Sequence, residues 1–202
     1  MTIQRSTPIG RPRGFDADAA LENAMRVFWE HGYEGASLAD LTKAMGINRT
    51  SMYAAFGNKE ELFRKAWARY AAGPASYGAE ALTEPTAQRV ATVFLQGAVR
   101  SATLPDYPPG CLSLRASLIG GEDGQVIREL LATSRQETHA QLTKRFERAV
   151  EQGDLPPETA PALLARYVLT IANGVAVQAA GGAGRAELEQ VIDAALRNWP
   201  PV

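Results

Sequence analysis

Ser37 to Phe56, SLADLTKAMGINRTSMYAAF, is the stretch from which the rest of the chain is read. Ser37 with Asp40 three positions later is a capping-box-like helix start. Leu38, Leu41, Thr42 and Met45 then fall at helical spacing until Gly46, a residue suited to a left-handed stop. Asn48 is a good N-cap for a second helix from Arg49, and on that helix Met52 and Phe56 lie one turn apart on the side that buries. Thr50 and Ala54 then face away, with Ser51 and Tyr53 on the flanks and Arg49 at the open N-terminal end. Two short helices about a tight turn make a helix-turn-helix. The outward face offers short polar groups, a methyl, a phenol and a guanidinium, which a DNA major groove accepts: Arg reads guanine, hydroxyls adapt, a methyl meets thymine. Helix pairs with a Gly turn also occur in proteins that bind no DNA, so a helical protein-interaction module stands beside the DNA-binding reading at this level.

The surrounding residues separate the two. Phe28, Gly32-Tyr33, Ser37, Asp40-Leu41, Ala44-Met45-Gly46-Ile47, Ser51-Met52-Tyr53, Phe56, Asn58-Lys59-Glu60 and Leu62-Phe63 together resemble the N-terminal domain of the tetracycline-repressor (TetR) family of transcriptional regulators. The pattern covers Phe15 to Tyr70, about a third of the chain. The resemblance implies an all-α regulator that binds double-stranded DNA as a homodimer, more often a repressor than an activator. It also implies that the last two helices pair with their copies in a four-helix interface. Beyond Tyr70 the chain is similar to that family only in length, helicity and order of elements.

Composition agrees with a globular regulator. The 202 residues suffice for one large or two small domains. The net charge of −1 hides an asymmetry, since ten Lys or Arg face eight Asp or Glu up to Ala72, and eleven face fourteen afterwards. A single cysteine, Cys111, excludes an intrachain disulfide and a multi-cysteine zinc site. With no apolar signal core at the N-terminus, the expected location is the reducing cytoplasm.

Three segments are expected: a basic arm over 1–14, a helix-turn-helix domain over 15–72, and a ligand-binding and dimerisation domain over 73–202, with about nine helices in total. In the arm, Gly10-Arg11-Pro12-Arg13-Gly14 resembles an AT-hook core, which would lay Arg11 and Arg13 in an A·T-rich minor groove; a charged terminus without a role is the alternative. Asp16 can cap a first helix carrying Leu21, Ala24, Met25, Phe28 and Trp29 and stopping at Gly32. Tyr33 and Ser37 could donate to phosphates, and Lys59, at the start of a fourth helix capped by Asn58 and Glu61, is placed to meet a phosphate with that helix's free N–H groups.

From Gly73-Pro74 to Pro85 a Gly, Ala and Pro-rich connection is the candidate boundary. Helices follow over Thr86 to Leu104, Cys111 to Ile119, Gln125 to Gln152, Pro161 to Gly184 and Arg185 to Trp199. The helix from Pro161 carries no charge from Tyr167 to Gly184 and approaches a membrane span in length. Its Thr170, Asn173 and Gln178 and its terminal glycines favour burial between helices instead, so no membrane partner is expected.

No Ser, His and Asp arrangement, Gly-rich phosphate loop or paired metal ligands accompany His31 and His139, so neither catalysis, a metal nor a cofactor is expected. Regulation would come from an unidentified small molecule in a pocket of the larger domain, for which Trp67, Phe94, Tyr107, Cys111, Arg115, His139, Tyr167 and Asn173 are candidate lining residues. Arg115 or His139 would orient an acidic or hydrogen-bonding effector. Two readings of Cys111 stand: a small buried hydrophobe, or a thiol at a helix start that senses electrophiles.

Overall fold

The computed structural model describes residues 14–117 and 124–200, and among them every regular element is a helix. In chain order they are α1 (Ala17–Gly35), α2 (Leu38–Met45), α3 (Arg49–Phe56), α4 (Lys59–Ala72), α5 (Tyr77–Leu82), α6 (Ala87–Ala102), α7 (Leu112–Ser117), α8 (Gln125–Glu151), α9 (Pro161–Ala180) and α10 (Arg185–Arg197). Ten helices are thus described where nine were read, because the Gly, Ala and Pro-rich connection folds one of its own. A six-residue helix does not stand alone. Packing holds it: Ala81 is buried in the larger core and the Tyr77 ring meets Phe94 edge-on at 5.3 Å.

The Asp16 carboxylate accepts from the N–H groups of Asp18 and Ala19 and starts α1. The helical path breaks at Gly32, with φ +72° and ψ 179°, and one more turn carries it to Gly35. The arm residues, including Arg11 and Arg13, and the expected helix end at Ile119 lie outside the described residues.

Two apolar cores form. The first joins α1 to α4, with Phe28 and Phe63 edge-on at 5.0 Å and Trp29 and Tyr70 at 4.8 Å, and it is completed by Leu112 and Ala116 of α7 and by Ile127 and Leu131 of α8. The second joins α5, α6, α9, α10 and the C-terminal half of α8. Helix α8 therefore serves both, its N-terminal turns in one core and Leu142, Phe146 and Ala149 in the other. Arg145 is also buried, its guanidinium donating to the carbonyls of Glu84 and Pro85 at 2.7 and 2.9 Å, which ties α8 to the start of α6.

Among the described residues, α9 is long and apolar enough to cross a membrane, but it packs against α6 and α8 through Leu164, Ala165, Val168 and Val175. Only 33% of its apolar stretch is buried within the chain. Leu163 and Val177 are more than half exposed on α9, as is Val191 on α10.

Candidate nucleic-acid interface and effector cavity

Local chemistry fixes the α2–α3 pair. Ser37 Oγ accepts from the Asp40 N–H at 3.1 Å while the Asp40 carboxylate receives the Ser37 N–H and hydroxyl, a complete capping box. The hydrogen bonds also hold the Asp40 carboxyl below its ordinary range. At the other end Gly46 takes a left-handed conformation (φ +66°), its N–H reaching the Lys43 carbonyl and the Ile47 N–H the Thr42 carbonyl. This Schellman closure, with Gly where a Cβ would be strained, turns the chain in two residues. Asn48 Oδ1 then accepts from Ser51 N–H at 2.8 Å and opens α3.

On α3, Met52 is fully buried and Phe56 nearly so, against Phe15 at 6.3 Å between ring centroids. Arg49, Thr50, Tyr53 and Ala54 are exposed and Ser51 is half-buried. Gly14, the first described residue, shares a shallow concavity with Ser51 and Ala54 of α3.

The expected phosphate anchors sit differently. The Tyr33 ring belongs to the core, 5.4 Å from Phe63, and the Lys59 ammonium lies over it at 4.7 Å. Both Ser37 donors face Asp40 within the capping box. Asn58 and Glu61 form a second box at the start of α4.

A cavity of about 200 Å³ opens among α4, α5, α6, α7, α8 and α9, with Trp67, Tyr77, Phe94 and Leu169 on apolar walls. One wall carries a hydrogen-bonded strip. Tyr70 Oη donates to Cys111 Sγ at 3.3 Å, that sulfur lies 3.2 Å from Ser113 Oγ, and Arg135 Nη1 donates to Ser117 Oγ at 2.8 Å on the next turn of α7. Burial, reinforced by the neighbouring Cys111, pushes the Tyr70 hydroxyl well above its ordinary range and that of Tyr77 also upward, so both remain neutral donors. Ser101 also lines the cavity; it is 5% exposed, and its hydroxyl makes no short hydrogen bond but lies beside the Tyr70 hydroxyl.

Two family models match this chain: the bacterial regulatory proteins of the tetR family over residues 20–66, and the tetracyclin repressor-like C-terminal domain over 87–195. The second alone spans more than half of the sequence. The chain belongs to the TetR family. Among curated relatives, it is 34% identical over 193 residues to the HTH-type transcriptional repressor ComR of Escherichia coli (strain K12), covering 95% of this chain and 92% of that one. Among solved structures, a cysteine mutant of the TetR family regulator CifR, complexed with 26-base-pair double-strand operator DNA, is similar at 41% identity and a TM-score of 0.88, over 94% of this chain and all of that one. A TetR regulator from Rhodococcus sp. RHA1 is also 41% identical, with a TM-score of 0.64 over 93% of this chain and all of that one. This TetR-family chain is therefore a sequence-specific DNA-binding transcriptional regulator and not an enzyme.

The expected effector residues of this TetR chain divide into two sets. Trp67, Phe94, Cys111 and Asn173 line the cavity; Tyr107, Arg115, His139 and Tyr167 do not. Tyr107 instead donates to Glu22 Oε1 at 2.8 Å beneath the Arg26 guanidinium. Arg115 is exposed on α7, His139 Nε2 lies 3.1 Å from the Ala162 carbonyl, and Tyr167 packs against the larger core. Spacing along a helix gives the face but not its rotation toward a particular neighbour, and that rotation decided Arg115, His139 and Tyr167. Tyr70, Ser101, Arg135 and Arg166 went unread, although one signal was present. Ser134 and Thr138 fall at core spacing on α8 without being apolar, and both line the cavity.

Proposed function

We propose that this regulator is a repressor that binds a near-palindromic operator as a homodimer and is released when a small molecule fills the α4–α9 cavity. The domain limits that go with this reading are 15–72 for DNA binding and 73–202 for ligand binding and dimerisation, with 1–14 as a basic arm, and the location is cytoplasmic. Each α3 enters a major groove, the two about 34 Å apart, one turn of B-DNA. Arg49, Thr50, Ser51 and Ala54 approach base edges, while Tyr53 and Lys59 approach the backbone. Arg11 and Arg13 reach into the adjacent minor groove, where A·T-rich steps are narrow.

One observation carries the reading: on α3 the apolar anchors Met52 and Phe56 are buried while the face bearing Arg49, Thr50 and Ala54 is open to solvent. The second copy covers the exposed apolar side chains Leu163 and Val177 of α9 and Val191 of α10. Selecting bound fragments from a random duplex pool tests the reading. A palindrome with half-sites one turn apart supports it, and recovery of unrelated sequences overturns it.

The route from cavity to DNA runs through α7. Ser113 faces the cavity, and on the same helix Ala116 packs in the core of α1 to α4. A ligand that shifts α7 shifts α1, and a coupling of about 1 to 3 kcal/mol between the sites changes operator affinity by up to ~150-fold. A second effector mode, electrophile sensing, is favoured by the position of Cys111 Sγ on the cavity wall within hydrogen-bonding reach of Tyr70 and Ser113. Alkylation of the purified protein that leaves operator affinity unchanged would remove that mode.

A further inference from the structure

The cavity lining has a marked charge and polarity pattern. Aromatic rings of Trp67, Tyr77 and Phe94 share it with two guanidiniums, Arg135 and Arg166, and among the described residues no carboxylate lines it. No Asp or Glu among the described residues pairs with either arginine; the observed ion pairs use other arginines. Arg135 is half-buried and fixed by Ser117, while Arg166 is exposed at the mouth. On the α6 wall the buried Ser101 hydroxyl makes no short hydrogen bond, and the Tyr70 hydroxyl is its near polar neighbour. An apolar ligand would desolvate that hydroxyl and leave the Arg135 donors not engaged by Ser117 unpaired, which is unfavourable. A cationic ligand would meet only positive charge.

We propose that the cavity takes a single-ring aromatic carboxylate carrying a second polar group. Its acid is held by Arg135, drawn in past Arg166, its ring lies against Trp67 and Phe94, and its polar substituent bonds Ser101. The size agrees. A cavity of about 150 Å³ holds benzene, so about 200 Å³ holds a substituted ring, below the ~300 to 1,000 Å³ of pockets for larger ligands. The charge-assisted fork of Arg135 supplies most of the discrimination. This proposal deepens the reading of the cavity as the effector site and rests on it.

Isothermal calorimetry on the full chain without DNA reads the cavity directly, using 3- and 4-hydroxybenzoate, benzoate, the two hydroxybenzamides and benzylamine as probes. One hydroxybenzoate should bind about tenfold or more tighter than its amide, and benzylamine should not bind. Arg135→Gln should erase the preference of acid over amide and Arg135→Lys should restore part of it. Ser101→Ala should erase the preference for hydroxybenzoate over benzoate while leaving the preference of acid over amide in place. Circular dichroism confirms that each variant is folded. Absence of binding by both hydroxybenzoates, equal affinity for acid and amide, or an unchanged preference in folded Arg135→Gln overturns the proposal. Operator affinity is read separately by fluorescence anisotropy. Binding that leaves it unchanged upholds the ligand class while overturning the effector role.

Discussion

Gly32 sits directly against the Arg115 carbonyl: a Cβ built on Gly32 would lie 3.2 Å from that oxygen and 3.8 Å from the Ala116 Cα. The break in α1 is thus the seat of α7, the helix whose other side reaches the cavity. Gly32 also has a positive φ of +72°, where an L side chain is strained. Gly32→Ala should destabilise the protein by about 1 to 3 kcal/mol, lowering the melting temperature by roughly 3 to 10 °C. Because the added methyl pushes on α7, it should weaken operator binding in the surviving folded fraction. Scanning calorimetry and operator titration at 20 °C check the two effects; an unchanged melting temperature would contradict the seat.

Arg69 fastens α4 to the first turns of α1. Its Nε donates to Glu22 Oε2 and its Nη1 to Asp18 Oδ1, both at 2.6 Å, and Tyr107 donates to Glu22 from the loop before α7. The hydrogen bond from Arg69, then its charge, lowers the Asp18 carboxyl below its ordinary range. For Glu22, burial works upward, but bonds from Arg69, Tyr107 and Arg26 outweigh it and the net shift is also down. Carboxyls lowered in the folded state contribute stability that is full above their unfolded values, about 4, and is lost as pH falls through the lower folded values. The stability gap between the native chain and Arg69→Met should therefore be full at pH 6 and close below about pH 4. Urea unfolding across that range measures it.

Arg49 and Lys59 should fail differently. If Arg49 reads a base edge as proposed, Arg49→Ala should cost roughly 1 to 3 kcal/mol on the selected operator, with little change on random duplex. Lys59→Ala should weaken both duplexes alike and reduce the salt slope of binding by about one. Anisotropy titrations at several salt concentrations separate them. Identical effects on both duplexes by both variants would refute the assigned roles.

Leu163 is 69% exposed and Val177 55% exposed on the same side of α9. If a second copy covers them, Leu163→Glu with Val177→Glu should yield a folded monomer that binds the operator at least about a hundredfold more weakly, because each protomer then engages a half-site alone. Sedimentation equilibrium gives the mass; a dimer that persists would move the interface elsewhere.

Local signals made the N-terminal third legible. Ser37 with Asp40, Gly46, Asn48, and Asn58 with Glu61 each act within four residues of themselves, and each cap forms as its spacing predicts. The buried anchors Met52 and Phe56 follow from helical periodicity, which a short segment carries whole. Arg115 and His139 show where this reasoning ends. Both lie on the right helices and are polar, but the azimuth of α7 and α8 toward the cavity depends on side chains far away in sequence. Helix α5 was hidden for a related reason, since Tyr77 has no local reason to be helical until Phe94 of α6 lies beneath it.

By itself the sequence determined the helix-turn-helix, the order of the long helices and the side of α3 left open, because caps, turns and apolar stripes are written in neighbouring residues. Only the tertiary structure decided that α7 lies on Gly32, that α8 divides between two cores, and that Ser101 and Arg135 share a cavity with Cys111. Those relations join positions dozens of residues apart. They are set by how packed helices rotate to exclude water, which no short stretch encodes.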